Sequence, residues 1–437
     1  MTAPARALDR EIARLAVPAL GALIAEPLFL LTDTALVGHL GAAPLAGLGI
    51  AGVILQTAVG LLIFLAYATT PTVARRLGAG DRTGALRAGI DGLWFALLIG
   101  VVLLVVGALG AGTLVLAFQT GPAVSEQATK YLVISVLGLP AMLFVIAATG
   151  LLRGLQDTRT PLVVATAGFA ANAGLNALFI YGFHWGIAGS AAGTVVAQWG
   201  MAAVYAVIAV RAARAVGAPL RPGLGGVGRT ASAGGWLLIR SAALRLAMLA
   251  TVWAAGMLGV PGLAAVQVAL TLFSTLAFAL DALAIAGQAM VGHALGAGDA
   301  ARVRAVTRRL LTWGVAGGAV LGLLLASAAG VLPGVFTGDG AVRAMLPGIL
   351  RAMAVGVPLA GLVFVLDGVL LGAGDARYLA WTGLVDVAVY LPLLWWAVAG
   401  DGGPVALWLA FGIGYIGARA VTLGVRAAGS RWIVTGA

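Results

Sequence analysis

The sequence predicts an all-α membrane protein with twelve transmembrane helices in two six-helix parallel pseudo-repeats. Three observations predict it: the scarcity of charge, the recurrence of apolar runs long enough to cross a bilayer, and self-similarity at one fixed offset. Of 437 residues, 62% are hydrophobic and 9% charged, whereas a soluble domain carries about 25% charged residues. A soluble fold cannot hide that much apolar surface, so lipid is the solvent for most of the chain. The alternating ten-residue segments of a membrane β-barrel are absent.

A helix needs about 20 apolar residues to cross a hydrocarbon core about 30 Å thick. Hydropathy places such runs near residues 15–38, 45–74, 90–117, 129–152, 161–182, 187–210, 235–258, 263–292, 306–330, 346–371, 379–399 and 404–425. The stretch Met1 to Arg14, with Arg6, Arg10 and Arg14 around Asp9 and Glu11, is expected to be a cytoplasmic tail. The apolar run after it is too long for a signal-peptide core.

The net charge of +11 lies in short arginine clusters between spans. Arg75, Arg76, Arg82 and Arg87 follow span two; Arg153 and Arg159 follow span four; Arg211, Arg214, Arg221 and Arg229 follow span six. Arg302, Arg304, Arg308 and Arg309 follow span eight, and Arg377 follows span ten. By the positive-inside rule these loops and both termini are cytoplasmic. Clusters scattered between spans do not form one basic face, so no nucleic-acid partner is expected.

The self-similarity has an offset of 218 residues. Leu77-Gly78-Ala79-Gly80-Asp81 repeats as Leu295-Gly296-Ala297-Gly298-Asp299, and Gly150-x-Leu152-x-Gly154-x-x-Asp157-x-Arg159 as Gly368-x-Leu370-x-Gly372-x-x-Asp375-x-Arg377. Each repeat holds an even number of spans, so the halves share one orientation, related by an axis along the membrane normal. The expected lobes are residues 1–210 and 235–437, joined by a cytoplasmic linker over 211–234. In the repeated turns Gly is expected to end one helix and Asp to cap the next, with a part in cytoplasmic gating as the second reading.

Catalytic chemistry finds no footing. The only lysine, Lys130, follows no glycine-rich loop, so no phosphate-binding GxxxxGK[ST] exists. Cysteine is absent, and His39, His184 and His293 lack metal-ligand spacing. Neither an enzyme, a metal site nor a bound cofactor is expected.

What remains is a set of polar residues inside apolar helices, where an ionised acid at mid-membrane costs about 2.5–3.5 kcal/mol and therefore marks a functional position. Span one carries Glu26 and Asp33, seven residues apart and within about 20° on one helical face. Span five carries Asn172 and Asn176, span six Thr194 and Gln198, each pair one turn apart. At the 218-residue offset Asp33 corresponds to Thr251, Asn172 to Tyr390 and Asn176 to Leu394, so the coupling chemistry is asymmetric. In the second half Asp281 is a candidate cavity residue or a partner of Arg240 or Arg245, and Asp367 is expected to be structural. Pro27 removes the backbone hydrogen bond to Leu23 and should soften the helix between Glu26 and Asp33.

With Pro18, Thr32-Asp33-Thr34-Ala35 and Gly38-His39-Leu40-Gly41, the first span resembles that of the multidrug and toxic compound extrusion (MATE) transporters, and its ending is similar to the DinF branch. Asp281-Ala282-Leu283-Ala284, Gly287-Gln288-Ala289 and Leu366-Asp367-Gly368 are similar to that branch too, and the resemblance covers the whole chain. It implies a V-shaped antiporter of two lobes, with no cofactor beyond a proton or sodium as coupling ion. Such a protein exports organic cations or amphipathic compounds across the bacterial inner membrane, with membrane lipid as its other partner, and is expected to act as a monomer. It implies ion coupling at Asp33, with Asn172 and Thr194 as matching ion-site residues; Asn176 at the neighbouring position and Glu26, as a second carboxylate on the first span, complete the expected ion site. Asp281, Gln288, Gln198 and Tyr131 are the candidates for the substrate cavity. Asn176 stands where the archaeal pattern has a second acid, which favours protons over sodium, and Gln288 stands where many DinF-like chains carry Glu. Two other functions stay open: a flippase for a lipid-linked precursor, needing a cationic cavity for which Arg240 and Arg245 are the candidates, and a membrane-embedded enzyme.

Overall fold

The computed structural model describes residues 3–400 and 402–436. Among them are twelve helices long and apolar enough to cross a membrane, and no strand. In chain order these are α1 (Arg6–Gly38), α2 (Ala42–Gly78), α3 (Arg82–Leu116), α4 (Pro122–Gly154), α5 (Arg159–Gly182), α6 (Ile187–Ala215), α7 (Gly225–Gly256), α8 (Gly259–Gly296), α9 (Ala300–Ala328), α10 (Gly340–Gly372), α11 (Ala376–Ala399) and α12 (Gly403–Ala428). The chain is a multi-pass membrane protein. Several helices outrun their hydropathic spans because the backbone stays helical after the side chains turn polar; α3, for example, begins at Arg82.

By internal contacts the chain divides into two compact units, one comprising Gly21–Gly234, the other Met1–Leu20 with Gly235–Ala437. In the first, α2, α3 and α4 pack together and α5 pairs with α6; in the second, α8, α9 and α10 pack together and α11 pairs with α12.

The repeated glycines explain the closest of these approaches. A Cβ on Gly150 of α4 would lie 2.8 Å from the Ala66 backbone of α2, and one on Gly368 of α10 would lie 2.4 Å from the Ala284 carbonyl of α8. One turn later Gly154 meets the Thr70 carbonyl at 2.8 Å and Gly372 that of Gln288 at 2.6 Å. Every one of these residues maps onto its counterpart at the 218-residue offset. The motif thus works inside the helices as a small-residue seam, since van der Waals packing rather than a hydrophobic force drives helix association in lipid.

The turns beyond the seams divide. Asp81 and Asp299 cap as expected, accepting from the amides of Gly84 at 2.7 Å and Arg302 at 2.8 Å. Asp157 accepts from the amides of Arg159 and Thr160, both at 3.0 Å. Asp375 makes no cap bond and accepts instead from Arg426 Nε at 2.6 Å. Gly80, Gly298 and Gly374 take positive φ of 81°, 76° and 72°, and Gln156, the counterpart of Gly374, keeps the same left-handed geometry at 62°.

Two sequence expectations change. The N-terminal tail is helical from Ala3, Met1 and Thr2 lying outside the described residues, and its acids are fixed within the second unit. Asp9 accepts from Arg309 Nε at 2.5 Å and Trp313 Nε1 at 2.8 Å, while Glu11 pairs with Arg302 at 2.9 Å. The segment expected as a linker is non-helical only over 216–223, since the helix containing α7 begins at Leu224. It lies along α3, where Trp94 Nε1 donates to the Leu220 carbonyl at 2.9 Å and the Gly223 amide donates to Asp91 at 2.7 Å.

Candidate functional site

Asp33 sits in the interior of α1 and is only 5% exposed. Its Oδ1 accepts from Ser190 Oγ at 2.6 Å and Asn176 Nδ2 at 2.8 Å, and its Oδ2 accepts from Tyr131 Oη at 3.3 Å. A second tier supports the first: Asn172 Nδ2 donates to Thr194 Oγ1 at 3.0 Å, and Asn176 Nδ2 lies 3.5 Å from the same oxygen. Helical periodicity produces this arrangement. Asn172 and Asn176 are one turn apart on α5, Ser190 and Thr194 one turn apart on α6, and the two polar stripes face each other where those helices pack.

All donors to Asp33 are neutral. Among the described residues no Lys, Arg or His forms an ion pair with it. An ionised carboxylate here keeps three hydrogen bonds but has no compensating charge. Such a group can exchange its negative charge for a bound proton or a bound monovalent cation.

Gly193 shapes the cluster from below, because a Cβ there would lie 2.2 Å from Asn176 Oδ1. That oxygen is buried and has no hydrogen-bond partner among the described residues. Ser190 escaped the sequence reading, although its position one turn before Thr194 was the available signal. Tyr131, expected in the substrate cavity, donates to the Asp33 carboxylate.

Other expected residues lie elsewhere. Glu26 is exposed and makes no hydrogen bond among the described residues. The seven-residue spacing puts it on the face of Asp33 but roughly 10 Å away along the axis, at 1.5 Å per residue. Gln198 Nε2 lies 3.6 Å from Met142 Sδ and its Oε1 abuts Gly138, so it belongs to the α4–α6 packing. Asp281 and Gln288 lie on α8 in the other unit, Asp281 half-buried and Gln288 buried where α8 meets Gly372. Asp367 pairs with Arg240 and Arg419, and Arg245 is exposed. Among the described residues no three His, Asp or Glu side chains converge as metal ligands would.

The counterpart of the Asp33 cluster in the second half has no acid. Thr251 and Tyr390, equivalent to Asp33 and Asn172, bond to each other at 2.6 Å. The equivalents of Tyr131, Asn176 and Ser190 are Ile349, Leu394 and Trp408, all buried. The same positions thus hold a carboxylate with neutral donors in one half and, in the other, a single hydroxyl pair among apolar side chains.

Comparison with known proteins agrees with the fold and the repeat. The MatE family model matches residues 18–178 and 237–396, once in each half. DNA damage-inducible protein F of Escherichia coli K12 is 29% identical over 319 residues, 69% of this chain and 66% of that protein. Protein DETOXIFICATION 45, chloroplastic, of Arabidopsis thaliana is 29% identical over 382 residues, 80% of this chain and 66% of that protein. The chain therefore spans about two thirds of the length of these relatives. The solved structure of the Vibrio cholerae MATE transporter VcmN in its bent form superposes with a TM-score of 0.90 at 20% identity, covering 98% of both chains. Members of this family are transporters and not enzymes, and two matches covering most of the sequence place the chain among them: it belongs to the MatE family, the multidrug and toxic compound extrusion transporters.

Proposed function

We propose that this chain is an ion-coupled exporter in which Asp33 binds and releases a proton, driving small cationic or amphipathic compounds out of the cell. One observation carries the reading: a buried carboxylate in a membrane helix whose partners are all neutral. Burying a charge without a counter-charge costs several kcal/mol, so the ionised and protonated forms of Asp33 differ strongly in what surroundings they tolerate. That difference is what a transporter needs to couple an ion gradient to a change of conformation. The arginine clusters support an orientation with both termini cytoplasmic in a bacterial inner membrane.

A second reading, sodium coupling, is favoured by the unpartnered Asn176 Oδ1 beside Asp33. Efflux of a fluorescent lipophilic cation from vesicles, with pH and sodium gradients imposed separately, tests both. The proposal expects the pH gradient alone to drive efflux; efflux driven only by sodium favours the second reading, and no response to either gradient contradicts both.

A further inference from the structure

The second half holds a buried charged cluster that the Asp33 site does not use. Arg240 of α7 pairs with both oxygens of Asp367 on α10, and Arg419 Nη2 of α12 donates to Asp367 Oδ1 at 3.1 Å. One carboxylate thus accepts from both guanidinium groups. Beside it on α11 lies Asp386, 1% exposed and with no ion pair among the described residues. Among the described residues its one hydrogen-bond partner is the Thr422 hydroxyl, 3.2 Å from Oδ1 and 3.5 Å from Oδ2.

That hydroxyl has a single proton and two places to put it. Thr422 Oγ1 also lies 3.2 Å from the Arg419 carbonyl of its own helix. With Asp386 ionised, the hydroxyl donates to the carboxylate. With Asp386 protonated, the hydroxyl donates to the carbonyl and its lone pair accepts the acid proton. Rotation about one bond therefore satisfies either state.

The cluster is not a requirement of the fold. At the 218-residue offset Asp386 corresponds to Gly168, which packs on Met201 of α6, and Asp367 corresponds to Thr149, bonded to Tyr205. The first half closes the same positions without charge, and buried ion pairs are seldom more stable than apolar packing of similar volume. A separate feature points to Asp386 as well. Tyr415 ends a π-helical segment in α12, a distortion common at functional sites, and its hydroxyl is buried without a hydrogen-bond partner.

We propose that Asp386 is a second proton-binding site, in the C-terminal half, with Thr422 as its switchable partner. Proton uptake forms an O–H bond on the carboxylate and takes the cluster of two arginines and two aspartates from neutral to a net charge of +1. The two neighbouring guanidinium groups disfavour a metal cation as the ligand. The groups facing Asp386 are Asp367 of α10, Arg419 and Tyr415 of α12 and, through the Thr422 carbonyl, Tyr378 of α11, with Arg240 of α7 joining the cluster as the ion-pair partner of Asp367. The site is independent of the Asp33 reading.

Difference infrared spectroscopy of the full chain in lipid nanodiscs, titrated over pH, follows the C=O band of protonated carboxyl groups. Asp386→Asn should remove one titrating band that persists in Asp33→Asn. Thr422→Val, which takes away the donor to the ionised form, should move that band's midpoint up by about one pH unit. Spectra of Asp386→Asn that superimpose on wild type overturn the proposal. If Asp386→Asn does not yield folded protein, Thr422→Val decides: a carboxyl titration unchanged by that substitution overturns it equally. The Asp33→Asn sample separates the two sites, because loss of its own band says nothing about the band of Asp386.

Discussion

The side-chain amide of Asn176 reaches from α5 to the carboxylate of Asp33 on α1 and donates to it at 2.8 Å, across 143 residues of sequence. The bond makes Asn176 a direct neighbour of the carboxylate proposed to bind the coupling proton. It also gives the Asn176→Asp variant a definite expectation. Two carboxylates at hydrogen-bonding distance cannot both ionise unless a proton or cation lies between them. Efflux by Asn176→Asp should therefore gain stimulation by a sodium gradient, measured in vesicles with the pH gradient collapsed. Ion preference identical to that of wild type would argue that position 176 does not contact the coupling ion.

Ser190 makes the shortest contact to Asp33, 2.6 Å. A hydrogen bond to a charged group contributes about 1.5–3 kcal/mol, equivalent to about 1–2 pH units. Because the hydroxyl favours the ionised form, Ser190→Ala should shift the pH profile of transport to higher pH by about one unit, with expression unchanged. A profile that does not move, or moves to lower pH, contradicts a donor role for Ser190.

The glycine seams set a different expectation, on stability. Gly368→Val should lower the melting temperature in detergent, because its Cβ would meet the Ala284 backbone at 2.4 Å and overpacking costs about 1–3 kcal/mol. Gly174→Ala on α5 meets nothing within 4 Å and should leave the melting temperature unchanged or slightly raised. Equal melting temperatures for the two variants would show that the seam does not limit stability.

Much of the architecture was legible because lipid leaves its mark on composition: each span must be apolar along its length, and arginine collects between spans. The repeated motifs were visible too, but their work was not, since a glycine inside a seam and a glycine ending a helix look alike in sequence. Asp33, Asn172, Asn176 and Thr194 stood out as polar residues in apolar helices. Ser190 did not, because a serine in a membrane helix commonly bonds its own backbone and carries little signal. Glu26 was grouped with Asp33 because periodicity reports the face of a helix and not which residues of other helices lie at the same depth. Asp386 was invisible as a site because its meaning depends on Asp367 pairing with both arginines beside it, an arrangement among four helices that no spacing records.

Asp33→Asn decides whether the buried carboxylate carries the coupled proton. The substitution removes the titratable charge with almost no change of volume and leaves an amide that Ser190 and Tyr131 can still contact, so the protein should fold and insert normally. In inside-out vesicles under an imposed pH gradient, where export appears as accumulation in the lumen, transport should fall to the level of empty vesicles, with wild-type amounts of protein in the membrane. Gradient-driven transport at the wild-type rate by correctly inserted Asp33→Asn would contradict a coupling role for Asp33.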